Sequence, residues 1–283
     1  MRVESRPWRM SPLLKASVGV HAVAAAGALL PGGWPYSVAA IAANHALITA
    51  TGLWPRSTWL GQNLLRLPES AGNSVAITID DGPDPEVTPA VLDLLDQHGA
   101  RATFFCIGGN VQRHPELARE IANRGHHIEN HSQRHRHDFS LLGPRGIRRE
   151  IEAAQTSIAS ATGRAPQWFR APAGLRNPFL DPVLQQLGLR LASWTRRGFD
   201  TRAKDPELVL ARLERGLKGG DILLLHDGHC AADRAGHPVV LSVLPPLLRT
   251  LAARGLSSVR LADAVAGSAA DTQRAGPDPV AAT

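Results

Sequence analysis

Thr78-Ile79-Asp80-Asp81-Gly82-Pro83 sets two adjacent carboxylates at the end of an apolar, largely β-branched run. Side by side at a strand exit they repel each other, so a positive partner is expected. A divalent metal held by one of them, with the other left as a base, is the economical answer. His131 and His135, four residues apart, have the spacing of a two-nitrogen metal clasp when they share one helical turn. Together with Asp81 they supply two nitrogens and one oxygen and leave a position for water, the pattern of a catalytic rather than a structural site. Arg170 opens the stretch Arg170-Ala171-Pro172-Ala173-Gly174, which taken alone is a turn with a salt-bridging arginine. His226 directly follows the apolar run Ile222 to Leu225, a place for either a core or a functional histidine, and Asp200 is a carboxylate that could orient it.

The chemistry these types allow is hydrolysis of an amide at neutral pH. Metal coordination can bring the pKa of water from 15.7 to about 7 and polarise an acyl carbonyl. A carboxylate takes the proton of the water, and an imidazole with a pKa near ~6.5 protonates the departing nitrogen, which could not leave as an anion. A phosphohydrolase built on the Asp-Asp pair is disfavoured, because one metal site's worth of ligands is visible and there is no phosphate-cradling loop.

Such residues must be held at strand ends, and the sequence from Asn73 onward alternates strand and helix. Val75, Ile77 and Ile79 read as a buried strand closed by Gly82 and Pro83, the one permissive and the other fixed in φ. Thr88-Pro89 reads as an N-cap and first helical position, with Gly99 as the stop. The run Ala102 to Ile107 follows, then a helix from Pro115 to before Gly125 and the strand His126 to Asn130. A helix from about Pro144 to Ala161 leads to Trp168-Phe169-Arg170, and Asn177-Pro178 opens another that ends at Gly188. The strand Leu189 to Trp194, a helix opened by Asp205-Pro206, the strand Ile222 to Leu225, a helix over Val239 to Ala253 and a strand at Ser257 to Val259 complete the series. Repeated strand-helix units imply a parallel sheet, and about seven of them within one domain favour an α/β barrel over an open sheet. The polar clusters fall where strands end, which is where barrel active sites are built.

Upstream, Leu13 to Leu30 and Val38 to Trp54 are apolar stretches separated by Pro31-Gly32-Gly33-Trp34-Pro35. They read as an N-terminal hydrophobic helical hairpin over residues 1 to 60 associated with a membrane, each a little short of the ~20 residues of a spanning helix. Lys15, His21, Asn44 and His45 interrupt them. A signal peptide with small residues at Ala24 to Ala28, and an interfacial hairpin with Trp34, Tyr36, Trp54 and Trp59 at headgroup level, are the alternatives. The expected location is a bacterial-type inner membrane, with the side occupied by the catalytic part left open. Residues 266 to 283, rich in Ala, Gly, Pro and Asp, read as a disordered tail. Lys plus Arg exceed Asp plus Glu by 31 − 25 = 6 and the pI is about 10.3, which favours an anionic partner. The arginines are scattered without aromatic interleaving, so a membrane or an acidic glycan fits and nucleic acid does not. Cys106 and Cys230 have no framework spacing, which argues against a disulfide scaffold.

The ordered set Thr-Ile-Asp-Asp-Gly-Pro, Asn-His-Ser-x-x-His, Arg-x-Pro-x-Gly and Leu-Leu-His-Asp resembles the polysaccharide deacetylases of the NodB-homology type, carbohydrate esterase family 4, over roughly residues 73 to 263. The resemblance implies a distorted (β/α)7-8 barrel, a catalytic domain over residues 70 to 265, and one divalent ion, zinc first, with cobalt or nickel as alternatives. It implies Asp81, His131 and His135 as metal ligands, Asp80 as general base and His226 as general acid. Arg170 then holds Asp80 ionised and Asp200 pairs with His226. The backbone N–H of Ala173 becomes the oxyanion donor, with Pro172 and Leu224 beside the substrate. The implied reaction is removal of the N-acetyl or N-acyl group from an amino sugar in a polysaccharide or glycan precursor. An O-acetyl esterase and an inactive glycan-binding relative are the other readings. Two departures stand out: Ala173 occupies a place where the family often has tyrosine, and Asp200 is followed by Thr201 instead of tryptophan. With Arg196 and Arg197 expected at the barrel mouth, a substrate that is anionic or linked to a lipid phosphate is expected.

Overall fold

The computed structural model describes residues 8–266. The tail expected over residues 266 to 283 lies, but for residue 266, outside the described residues, as do residues 1–7 of the expected N-terminal segment. The elements run α1 (Pro12–Ala28), α2 (Trp34–Gly52), β1 (Ser74–Asp80), α3 (Thr88–Gln97), β2 (Ala102–Cys106), α4 (Gly108–Arg113), α5 (Pro115–Asn123), β3 (His127–Asn130), α6 (Pro144–Thr162), β4 (Trp168–Phe169), α7 (Leu180–Gln186), β5 (Arg190–Leu191), β6 (Arg196–Arg197), α8 (Pro206–Glu214), β7 (Ile222–His226), α9 (Val239–Ala253) and β8 (Ser257–Ser258).

The main sheet has the order β5-β4-β3-β2-β1-β7-β6, and β8 pairs with the start of β1. Every paired strand is parallel. The curved sheet is the distorted barrel, open between its edge strands β5 and β6. Strand β1 lies inside the sheet between β2 and β7, and alternation along it sorts the two cores. Val75, Ile77 and Ile79 face the outer helices and join Val91, Leu95, Val243 and Leu247. Ala76 faces inward with Phe105, Trp168, Trp194 and Leu224.

Register delivers the chemistry. Asp80 is the Cα partner of Phe105 on one side and of His226 on the other, and Cys106 pairs with Asn130. The last residues of β1 and β7, and the residues that follow β3 and β4, are thereby collected at the carboxyl end of the sheet.

The strand β1 ends differently from the sequence expectation. Asp81, not Gly82, takes the left-handed conformation, with φ 76°. Gly82 is required for another reason: a Cβ there would collide with the Asp227 carboxylate. Thr88 is the first residue of α3 rather than its cap, and its hydroxyl donates to Asp227 at 2.5 Å. Helix α4 has no counterpart in the sequence reading, being a single short run with two glycines at its start. Both cysteines are free.

The hydrophobic hairpin forms, with α1 and α2 of 17 and 19 residues. The expectation that its helices span a membrane is corrected: among the described residues no helix is long and apolar enough to cross one. Alanine, serine, threonine, histidine and asparagine take the places that leucine and isoleucine would need to fill.

Candidate active site

The carboxyl ends of the strands surround a cavity of ≈ 660 Å³ lined by Asp80, Asp81, His131, His135, Ala173, Leu224 and His226 among others. Asp80 continues the inward face of β1, whereas the left-handed turn at Asp81 swings the second carboxylate out of the strand line. The pair therefore diverges into two roles.

Asp81 Oδ1 lies 3.2 Å from His131 Nε2 and 3.2 Å from His135 Nε2. The histidines do not share a helical turn, which corrects the sequence expectation. They belong to an irregular loop in which Ser132 and His135 have φ of 64° and 48°. Side chains hold that loop: Asn130 Oδ1 accepts from Ser132 N–H at 2.9 Å, Ser132 Oγ from His135 N–H at 3.1 Å, and buried Glu150 from Arg134 N–H at 3.0 Å. His131 Nδ1 is 2.8 Å from the carbonyl oxygen of Arg170, which makes that nitrogen the N–H donor and leaves Nε2 with its lone pair toward Asp81. Asp81 Oδ1 is buried with no hydrogen-bond partner among the described residues. Two ring nitrogens directed at an orphaned carboxylate oxygen are a donor set for a cation, and Asp81, His131 and His135 fit a divalent metal of the zinc class.

Electrostatics agree with that use. Burial pushes the Asp81 pKa up, but the imidazoles of His131 and His229, with His226 behind them, pull it well below the usual carboxylate range. Burial, with the nearby His131, lowers His135 to about 4, so its ring is neutral and free to coordinate.

Asp80 is held from below. Arg170, 1% exposed, donates from Nη1 to Asp80 Oδ1 at 2.6 Å and to Thr78 Oγ1 at 2.9 Å. Its other nitrogens donate to the carbonyls of Ala192 and Ser193, and its plane lies 4.0 Å from the Phe105 ring centroid. Asp80 Oδ2 faces His131 Nε2 at 3.8 Å. On the adjacent strand, Asp200 grips His226 twice, accepting from its backbone N–H at 2.7 Å and meeting ring Nδ1 at 2.9 Å. Burial alone would lower the His226 pKa; the charge and hydrogen bond of Asp200 outweigh it and raise it. Nε2 is then the ring position presented to the cavity. Asp80, Asp81, His131, His135 and His226 all line this one cavity, with Arg170 and Asp200 beneath its floor.

Ala173 lines the cavity in the left-handed region, φ 54°, and no acceptor for its N–H is found among the described residues. Leu224 lines the cavity as expected. Pro172 does not; it is buried within the turn and shapes the backbone that presents Ala173, which corrects its placement beside the substrate. Gly174 is required by close approach, since a Cβ there would meet Pro55 and the Trp194 indole at 2.6 and 2.7 Å.

Arg196 is not at the mouth. Its Nε donates to fully buried Asp221 at 2.6 Å and its other nitrogens to the carbonyls of Arg215 and Gly216, because alternation along β6 turns it away from the cavity. Arg197, its neighbour, faces the other way and stacks between Trp194 and Phe199 on the cavity rim. Several lining residues escaped the sequence reading. Arg113, Arg134 and Arg202 join Arg197 on the wall. Asn110 on α4 donates to the Asp81 carbonyl at 2.8 Å. His229 places Nδ1 3.3 Å from Asp81 Oδ2. The one signal for His229 was its place three residues beyond His226.

Residues 68–192 match the family model described as polysaccharide deacetylase. A chitooligosaccharide deacetylase of Azorhizobium caulinodans is 35% identical over 65% of this chain and 91% of its own length. A peptidoglycan-N-acetylglucosamine deacetylase of Bacillus cereus is 36% identical over 62% of this chain and 81% of its own. A solved family 4 carbohydrate esterase of Streptomyces lividans, in complex with acetate, superposes with a TM-score of 0.60 at 32% identity, covering 66% of this chain and 92% of that one. The match extends over most of the length of each of these proteins, and the chain belongs to the polysaccharide deacetylase family.

Proposed function

We propose that the protein is a metal-dependent hydrolase that removes the N-acetyl group from an amino sugar of a glycan. The observation that carries this reading is the register of β1 and β7, which sets Asp80 and His226 side by side beside the Asp81, His131 and His135 donors. The names of the similar deacetylases support it.

Asp81, His131 and His135 would hold the metal, which when bound polarises the acyl carbonyl and makes water a stronger nucleophile. Asp80, held in place by its ion pair with Arg170, accepts the proton of the attacking water at Oδ2. As charge develops on the acyl oxygen, the Ala173 N–H is placed to donate to it. His226 then gives its Nε2 proton to the departing sugar nitrogen, and Asp200 steadies the ring through Nδ1. General acid-base catalysis of this kind contributes on the order of 10²–10⁴ in rate.

Zinc is the favoured ion, since two imidazoles and one carboxylate with an open position are its catalytic donor set. The mouth favours an anionic glycan: Asp80 and Asp81 are the carboxylates of the lining, both at its floor, while Arg113, Arg197 and Arg202 line the wall without an ion pair among the described residues. Guanidinium groups bind carboxylate or phosphate by paired hydrogen bonds.

Acetate release from neutral and anionic N-acetylated amino sugar oligomers, before and after chelation and after return of zinc, cobalt or nickel, tests the reading. Expected is release that chelator stops, that zinc restores, and that is faster on the anionic oligomers. Release unaffected by chelator, or confined to O-acetyl esters, would overturn it.

A further inference from the structure

The helical hairpin is inside out for a pair of helices in water. What α1 and α2 bury are Ser17, Ala24, Ser37, Asn44, Thr51 and Gly52, and Asn44 Nδ2 donates to Ser17 Oγ at 2.8 Å within the seam. What they expose are Val18, Val23, Val38 and Leu47, with Leu29 (87% exposed) and Leu30 (65%) at the turn between them. From Pro12 to Trp54 the only Lys, Arg, Asp or Glu is Lys15. A surface helix in water turns its apolar stripe inward. Small residues and an interhelical hydrogen bond in the seam, with aliphatic side chains outside, are the packing of helices in lipid.

The foot of this hairpin is built into the rim of the active site. Arg176 N–H donates to the Gly52 carbonyl at 3.1 Å, Ser193 Oγ to the Pro55 carbonyl at 2.8 Å, and Arg56 Nη1 to the Thr195 carbonyl at 3.3 Å. Pro55 lies against Gly174 and next to Trp194, and both of these line the catalytic cavity. Trp54 and Trp59, 59% and 56% exposed, flank exposed Arg56 at the same foot. Indole rings and a guanidinium in that arrangement suit the headgroup layer of an anionic membrane.

We propose that the hairpin seats in the outer layer of an anionic lipid bilayer without crossing it, and that its foot thereby holds the mouth of the cavity against the membrane surface, where it takes amino sugars carried on lipid-linked glycans. The bilayer seat stands on the hairpin alone; the lipid-linked substrate rests on the deacetylase reading.

The test uses the full-length protein in flotation with vesicles of phosphatidylglycerol or phosphatidylcholine, and compares it with the Leu29→Asp/Leu30→Asp variant, both positions being exposed and remote from the cavity. Expected is flotation of the wild type with phosphatidylglycerol vesicles and at least a ten-fold weaker association of the variant. On an N-acetylglucosamine oligomer coupled to lipid in those vesicles, the wild type should release acetate at least ten-fold faster than the variant, with equal rates on the same oligomer in solution. Wild type left in the lipid-free fraction, including as a self-associated species that uses this face, overturns the seat, as does a variant that floats like the wild type. Normal flotation with no preference for the lipid-coupled oligomer overturns the placement of the mouth. Normal flotation with no acetate released from either form supports the seat and overturns the deacetylase reading, and the lipid-linked substrate with it.

Discussion

Arg170 Nη1 and Asp80 Oδ1 stand 2.6 Å apart with side chains 1% and 3% exposed, so the proposed base is one half of a buried ion pair. Removing one partner of such a pair leaves an uncompensated charge, at a cost of ~3–5 kcal/mol. Arg170→Met should lower stability by about that amount, read from denaturant unfolding. Arg170→Lys keeps a cation but cannot serve Thr78, Asp80, Ala192 and Ser193 together; it should fold, with kcat at least ~10-fold lower. A Lys variant with the wild-type kcat would deny Arg170 its positioning role.

His131→Ala and His135→Ala should each abolish both bound metal and acetate release, with metal read by atomic emission on dialysed protein. Asp80→Asn and His226→Ala should keep the metal and lose roughly 10²-fold or more in kcat. A histidine variant that retained stoichiometric metal would remove that residue from the ligand set.

The strand-end motifs were legible because each combines a local stop with a residue type that cannot be buried without a partner: Asp80 after Ile79, His226 after Leu225. The barrel followed from alternation, since a strand buried on both faces between helices has few other homes. What was not legible depends on backbone twist. Adjacent Arg196 and Arg197 looked equivalent in the sequence, yet alternation on a two-residue strand buries one against Asp221 and puts the other on the rim. The spacing of His131 and His135 suggested a helix, but two left-handed residues bring the rings together, a conformation that neither serine nor histidine advertises. Arg113 and Asn110 were missed because α4 carries no periodic apolar face.

His229 lies 69% exposed at its side chain, with Nδ1 3.3 Å from the Asp81 oxygen that faces away from His131. Outer partners of this kind orient a ligand and are worth ~10–100-fold in metal affinity. His229→Ala should weaken zinc binding by about that factor in a chelator competition, with an unchanged circular dichroism spectrum. Unaltered affinity would leave His229 with no role toward the metal.

His126 and His127 predict how the fold meets acid. Burial lowers both pKa values from 6.5 to about 4, and His126 Nδ1 accepts the Ala102 N–H at 3.2 Å, a bond that protonation breaks. Because the unfolded chain binds these protons first, their contribution to stability is complete above pH 6.5 and is lost as pH falls through that value toward about 4. Urea midpoints should therefore drop across that window in the wild type and drop less in His126→Gln. Parallel curves for the two proteins would assign acid sensitivity to other groups.

The pH profile isolates the role of Asp200. Fully buried, Asp200 raises the pKa of His226 against the opposing effect of burial. As general acid His226 acts in its protonated form, so activity is present below its folded pKa and is lost as pH rises through it. Asp200→Asn removes the charge but retains an acceptor for one of the two N–H groups. Desolvation then dominates, the pKa of His226 falls, and the alkaline limb of kcat/KM should move to lower pH, with metal content unchanged. His226→Ala should lack that limb altogether at its much lower rate. If Asp200→Asn lowered the rate uniformly at every pH without moving the limb, Asp200 would be a structural anchor for β7 and the proton would come from another donor.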